Sequence, residues 1–472
     1  MFNLNLNNPR SNSWTNNGGR SALHHKNIFV RRDSTPDMGA VIYGSQSVCG
    51  SKGIRFRSGQ HDRKKYVLPR KRKRYARRGG IEGRNAKRNK HNTIQNAWNV
   101  ICEFEYLVEA DHSARKGKRY RAEVLAFTAN LEHNLFQIQE QMIAVDCPLG
   151  PYRKLWVSVP KKRLVMALPY PDRIVQWSLY QYLNPVYDRL FIEDSYACRK
   201  GKGSHKAAAR LQYWMRQVDR KPGPGWYYLK LDISKFFYRV NHAKLLKILA
   251  KRIKDPELMK FLGSVVNSRA EPFGLPRGKA PQDTPPEEWL YDVGMPIGNL
   301  TSQLFANIYM NELDQYCKHV LKIHYYIRYM DDIVILGENK ETLHEWKAKI
   351  ETFLHEELEL DLNNKTCIRP VRMGVEFVGV RIWPAYMKLR KSTVGRLKRE
   401  VKKISELYAS GQMDEEAFKR RVASIKGLLE HTESESLRWR LNQIYLDAVR
   451  KYGKTDPEET LWKGKNDGKK VA

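Results

Sequence analysis

Two adjacent carboxylates, Asp331 and Asp332, stand inside the apolar run YYIRYMDDIVIL. The flanks read as two strands around a tight turn, which places both acids at a hairpin tip. Like charges so close repel one another, and a divalent cation removes that cost. Asp332 taken alone is also what an ordinary turn residue looks like. The pair gains meaning from Asp232, which ends another strand-like segment, WYYLKLDI, about a hundred residues earlier. Carboxylates brought together from neighbouring strands can hold two cations, one at an attacking oxygen and one at a leaving group. Oxygen donors without His or Cys suit Mg²⁺ rather than zinc, with Mn²⁺ as a possible substitute. The chemistry indicated is metal-assisted phosphoryl transfer.

Other segments surround these acids. LDISKFF places Phe236 and Phe237 just after Asp232. By residue type alone both are core aromatics. PIGNLTSQ, Pro296 to Gln303, opens a helix. There Gly298 permits close backbone approach, and Asn299, Thr301 and Ser302 are cap formers.

Elements must position these residues, and the pattern supplies them. Val124, Phe127, Leu131, Leu135, Ile138 and Met142 recur every three or four residues and predict one helix face. WVSVPKKRLVMALPYPDR alternates like a hairpin, and residues 173–192 read as a helix. After KPGPG, a turn, comes the Asp232 strand. Residues 271–290 hold five prolines and predict a loop. Leu343, Trp346, Ile350, Phe353 and Leu358 mark an amphipathic helix, GVEFVGVRIW another hairpin, and Val394, Leu397, Val401 and Ile404 open a helical C-terminal region reaching about Tyr452.

The 472 residues are 41% hydrophobic, enough for more than one domain. Their formal charge of +34 points to a polyanionic partner, since phosphates recruit cations and release counterions. A basic run from Arg63 to Lys90, with Arg70, Lys71, Arg72, Lys73 and Arg74 at its centre, reads as a solvated arm suited to RNA phosphates. Six scattered cysteines without a CxxC argue for reduced thiols and against a zinc site. No run of about 18 apolar residues predicts a membrane span.

The segments above, in this order, resemble the reverse transcriptase family across about residues 98–435. PKKRLVMALPYPDRIVQ is similar to its fingers segment, YLKLDISKFF to its first carboxylate motif and GMPIGNLTSQ to its primer and template grip. YIRYMDDIVIL resembles the second carboxylate motif. LNNKT and GVEFVGV, around Gly374 to Gly379, resemble the next two palm motifs, and SIKGLLEH resembles the thumb. The resemblance implies an α+β right-hand polymerase fold. Fingers and palm would span 98–385 with an antiparallel sheet backed by helices, a helical thumb 386–452, and a flexible tail 453–472. Residues 1–62 would be a poorly ordered extension and 63–97 the basic arm.

It also implies roles. Asp232 and Asp331 would be the principal metal ligands, with Asp332 adjacent and the backbone carbonyl of Ile233 completing a site. Lys161, Lys162, Arg163 and Arg173 would clamp the triphosphate, although Arg173 is equally a structural ion-pair partner. Phe237 would be the sugar gate, and Ile297, Gly298 and Gln303 would border substrate. Gly374 and Gly379 would lie along nucleic acid. Lys365 would give a proton to pyrophosphate or merely place a charge near it.

RKGKRYRAEVLAF, DSYACRKGKGSH and IGNLTSQ with Gln303 are similar to polymerases of diversity-generating retroelements. That narrower resemblance implies a template RNA, a cDNA primer, dNTPs, a small basic accessory variability protein, no membrane, error-prone copying opposite adenine, and a bacterial cytoplasm. NSWTNNGGRSA and GIRFR resemble the end of formylglycine-type lectin domains, the variable targets of such elements. A retron-like or phage-defence polymerase and a maturase-like RNA-binding protein remain alternatives.

Overall fold

The structure, a computed structural model, describes residues 93–145, 149–157, 163–223, 225–267, 271–453 and 461–462. Arg70, Lys71, Arg72, Lys73, Arg74, Lys161 and Lys162 lie outside these residues, as do the N-terminal extension and most of the tail.

Four helices come first: α1 Ala97–Ile101, α2 Phe104–Ala114, α3 Ala122–Ala129 and α4 Leu131–Ile143. The apolar stripe from Val124 to Met142, expected on one helix, is divided between α3 and α4. Asn130 takes φ −129° and ψ 52°, outside the helical region. The Asn134 amide meanwhile donates to the Phe127 carbonyl at 2.8 Å, so the break is satisfied locally. The stripe still does its work, for Val124, Phe127, Leu135, Ile138 and Met142 are all buried.

Strands β1 (Arg153–Val157) and β2 (Arg163–Ala167) form the expected antiparallel hairpin. Helices α5 (Tyr170–Asp188) and α6 (Ser204–Asp219) lead to β3 (Tyr227–Asp232). Helices α7 (His242–Ala250) and α8 (Pro256–Val266) follow, capped by the side chains of Asn241 and Asp255. The proline-rich segment after them holds one short 3₁₀ turn, Pro286–Glu288, and a bridge between Gly274 and Leu290. Next come α9 (Leu300–Gln315), β4 (Tyr326–Tyr329), β5 (Asp332–Gly337), α10 (Lys340–Leu358) and β6 (Cys367–Pro370).

Those strands form a sheet in the order β4-β5-β3-β6, with its described pairs antiparallel. All six residues of β5 are buried, as a central strand covered on both faces requires. Helix α9 buries twelve of its sixteen residues, which makes it a core helix. A three-stranded sheet of β7 (Val375–Phe377), β8 (Val380–Ile382) and β9 (Met387–Leu389) precedes helices α11 (Lys391–Ala409), α12 (Glu415–Leu429) and α13 (Glu435–Lys451). These last helices have their own core, with Leu397, Val401, Ile404, Phe418, Ile425 and Leu441 at its centre. The fold is α+β. No helix among the described residues is long and apolar enough to cross a membrane.

Candidate active site

Register decides the geometry. Tyr329 pairs with Asp332 in the β4–β5 ladder, so Met330 and Asp331 alone make the turn. Met330 has φ 59°, a left-handed conformation that a side chain resists. On its other side β5 pairs with β3, and Asp332 lies directly opposite Asp232. The Ile233 amide contacts the Asp331 carbonyl at 3.4 Å, drawing the end of β3 against the turn. Three carboxylates separated by a hundred residues of chain thus meet at one end of the sheet.

The meeting is electrostatically unfavourable. Burial first, then the Asp232 charge, pushes the Asp331 carboxyl up to about 6. The Arg163 charge, from the start of β2, acts in the opposite direction. Burial pushes Asp332 up to about 7, helped by Asp331 and Asp232 and opposed by Lys230. The Lys230 ammonium lies 3.3 Å from Asp332 Oδ1 and donates to the Glu376 carbonyl at 2.6 Å. Asp332 Oδ1 is nevertheless buried without an aligned hydrogen bond. Asp332 therefore has a counter-ion within the protein, whereas the repulsion between Asp232 and Asp331 calls for a cation from outside.

The other predicted residues fall into groups. Phe236 is core, and Phe237 is half-buried beside it with ring centroids 5.4 Å apart. Ile297 is half-buried, and its carbonyl accepts the Met166 amide at 2.8 Å. Gly298 has φ 122°, and a Cβ there would lie 2.9 Å from the Met166 carbonyl oxygen. The close approach at this glycine is to β2. Gln303 is half-buried in the first turn of α9. Arg173 is held by Glu123 at 3.0 Å and by the Leu168 carbonyl at 2.8 Å, the ion-pair arrangement that the sequence left open. Lys365 is exposed on the turn before β6. Gly374 packs against Trp383, where a Cβ would come within 2.5 Å of the indole, and Gly379 forms the open turn between β7 and β8.

Asn299 does not cap α9 with its side chain. Its amide donates to the Tyr152 hydroxyl at 3.0 Å, and Gln176 of α5 accepts the Leu300 amide at 3.1 Å instead. Sequence reasoning also missed Arg328, Asp314 and Lys230, which sit under or beside the turn. An arginine just before YMDD was the one visible signal, since a lone cation in an apolar strand requires a partner.

Residues 157–382 match the family described as reverse transcriptase (RNA-dependent DNA polymerase). The chain carries a reverse transcriptase domain. All three carboxylates, the Met330 turn and β2 through β8 fall inside it. The protein YkfC of Escherichia coli (strain K12) is 26% identical over 231 residues, 47% of this chain and 57% of that protein. The group II intron-encoded protein LtrA of Lactococcus lactis subsp. cremoris is 22% identical over 172 residues, 35% of this chain and 25% of that protein. The chain spans little more than half of the first relative and a quarter of the second. A solved telomerase from Candida albicans, bound to a fragment of telomeric RNA, aligns with TM-score 0.40 at 13% identity, over 69% of this chain and 59% of that one.

A reverse transcriptase domain implies a divalent metal, and the residues present fit one. Their donors are all oxygen, Asp331 is raised by a neighbouring carboxylate, and one oxygen of Asp332 is buried without a hydrogen bond. Among the described residues no three His, Cys, Asp or Glu side chains form a ready-made cage. Two carboxylates with the remaining ligands drawn from substrate phosphates and water is the usual arrangement for Mg²⁺.

Proposed function

We propose that this protein is an RNA-directed DNA polymerase that copies a template RNA into cDNA by nucleotidyl transfer from dNTPs. One observation carries the reading: Asp232 and Asp331, from separate strands, are brought to one end of the sheet, and among the described residues neither forms an ion pair. Two Mg²⁺ ions held there, with the Ile233 carbonyl as a further donor, would activate the primer 3′-hydroxyl and offset charge on the leaving pyrophosphate. Arg163 already places its charge toward Asp331 and is suited to the triphosphate. Lys161 and Lys162, which lie outside the described residues, precede it in the sequence PKKR. Phe237 is the candidate floor under the incoming sugar. In this reading residues 98–385 are fingers and palm, and 386–452 the thumb.

The finer assignment is a polymerase of a diversity-generating retroelement, working on its template RNA with a small basic accessory protein. IGNLTSQ with Ile297 and Gln303 supports it, together with the +34 charge available for a large RNA surface. The test uses the full chain with a defined RNA, a primer, dNTPs and Mg²⁺. Wild type should extend the primer, while Asp232→Asn and Asp331→Asn should lose extension by about three orders of magnitude or more and keep RNA binding, since a metal site supplies several kcal/mol of transition-state stabilisation. Extension at the wild-type rate by either variant would remove the polymerase reading. Efficient copying without an accessory protein would count against the finer one.

A further inference from the structure

Arg328 has no exposed surface, nor has Asp314. Nε of Arg328 donates to Asp314 Oδ1 at 2.7 Å, and Nη2 donates to Asp314 Oδ2 at 2.6 Å. Nη2 also donates to the Ser195 hydroxyl at 3.1 Å. Nη1 donates to Asn307 Oδ1 at 3.2 Å and to the Met330 carbonyl at 3.1 Å. Asp314 in turn accepts the Tyr326 hydroxyl at 2.7 Å. Burying such a pair is not an economical way to stabilise a core, because well-packed apolar residues of similar volume do as well or better. An apolar pair would lack the contacts to Ser195, Asn307 and Tyr326, and among them the one that reaches the carboxylate turn, a donor to the Met330 carbonyl.

That carbonyl belongs to the peptide joining Met330 to Asp331. Met330 is left-handed, at φ 59°. A non-glycine residue keeps such a conformation only when its surroundings over-determine it. Arg328 is one of those surroundings, since its Nη1 donates to the Met330 carbonyl at 3.1 Å. The bidentate contact with Asp314 fixes the plane of the guanidinium, and hence the direction of its remaining donors.

We infer that Arg328 is a positioning residue for polymerisation: it holds the Met330–Asp331 peptide and so aims the Asp331 carboxylate, with Asp314 as the clamp that orients it. This rests on the polymerase reading and adds to it the device that keeps the carboxylate turn in its strained form. The network adds no substrate contact, so its loss should change turnover and metal demand while leaving substrate affinity alone.

The experiment compares two variants with wild type in primer extension and thermal melting. The first combines Arg328→Met with Asp314→Leu, which removes both charges and leaves no buried ion unpaired. It should fold with a lowered melting midpoint, because the Tyr326 and Ser195 hydroxyls, Asn307 Oδ1 and the Met330 carbonyl each lose a buried partner. It should bind RNA and keep its KM for dNTP within about threefold, and lose kcat on the order of a hundredfold, as small misplacements of reacting groups do. The second, Arg328→Lys, keeps the charge pair but not the fork. It should fold, lose kcat in the same direction and need more Mg²⁺ for half-maximal extension. Wild-type kcat in either folded variant overturns the inference. So does a double variant that does not fold, because the pair would then serve the fold itself. Wild type that extends no primer would instead remove the polymerase reading on which the inference rests.

Discussion

Asp232 and Asp332 are direct cross-strand partners, yet among the described residues only Asp332 of the two forms an ion pair, with the ammonium of Lys230 at 3.3 Å. The two carboxylates share one face of the sheet, because opposed residues in an antiparallel ladder point the same way. Lys230 lies two residues before Asp232 and so shares that face as well. It is the counter-ion of Asp332, although Asp332 Oδ1 keeps no hydrogen bond. Lys230 also donates to the Glu376 carbonyl, which ties the carboxylate cluster to β7. The division of labour among the three acids thus follows from one lysine and the strand register.

The contact between β2 and the segment before α9 gives a stability prediction. At Gly298 a Cβ would lie 2.9 Å from the Met166 carbonyl oxygen and 3.0 Å from Val165 Cγ1, in a backbone conformation with φ 122°. Neither neighbour is the far end of a flexible chain. Gly298→Ala should therefore destabilise by about 1–3 kcal/mol, the range for a non-glycine residue in a sparsely populated conformation. Thermal melting would show a midpoint lowered by several degrees, and primer extension should fall as β2 and Arg163 shift. An unchanged midpoint would mean that the two segments part at no cost.

A second prediction concerns pH. Burial pushes the Asp172 carboxyl up to about 6, with the Gly150 amide, which donates to it at 2.8 Å, and Arg173 opposing. The folded state therefore binds this proton more tightly than the unfolded chain does. The carboxyl supports folding fully below about 4 and loses that contribution as pH rises through about 6. Asp172→Asn, which keeps an acceptor for Gly150, should match wild type near pH 4 and be more stable above pH 6. Because the side chain is half-exposed, solvent screening holds the gain to roughly 1 kcal/mol. Melting curves at pH 4 and pH 7.5 test this, and a gain at pH 4 equal to that at pH 7.5 would refute it.

How much was legible beforehand depended on the range of the interaction. Asp232, Asp331 and Asp332 stood out because alternation marks strands and carboxylates are rare in them. The hairpin around Leu155 and Leu164, and the helix carrying Leu343 and Ile350, followed from period alone. Contacts between distant residues did not. Gln176 caps a helix that begins 124 positions later, and Glu123 takes Arg173 fifty positions away. Neither partner is distinctive in sequence. Arg328 and Asp314 are only 14 positions apart, but their pairing depends on how the chain turns back between α9 and β4, which no local pattern states. The break at Asn130 was invisible because the apolar stripe continues across it.

Phe237 allows a prediction about sugar choice. It is half-buried against the fully buried Phe236, so its ring is anchored on one side and available on the other. Phe237→Ala should leave the fold intact and admit a 2′-hydroxyl. Discrimination by packing alone is worth roughly 10–200-fold, so rNTP use relative to dNTP should rise by at least about tenfold. The ratio of kcat/KM for a matched rNTP and dNTP measures it. An unaltered ratio would place the gate at another residue.

The last prediction concerns copying accuracy and the finer assignment. Ile297 lies between Pro296 and Gly298, and its carbonyl accepts the Met166 amide at 2.8 Å, so its backbone is fixed to β2. Its side chain can only pack. A glutamine there would offer an amide to hydrogen-bond near the incoming nucleotide. One hydrogen bond is worth about 0.5–1.5 kcal/mol net, and about 1.4 kcal/mol is a tenfold rate ratio. Because the backbone bond does not involve the side chain, Ile297→Gln should fold as wild type does and keep measurable cDNA yield. Misincorporation, including that opposite template adenine, should fall by up to about tenfold by the same arithmetic. Sequencing cDNA made from a defined RNA gives both error spectra. Identical spectra would remove Ile297 from the fidelity argument while leaving the polymerase intact. A wild-type spectrum without excess errors opposite adenine would remove the diversity-generating assignment, because general looseness from a lost hydrogen bond is common to any polymerase and adenine bias is not.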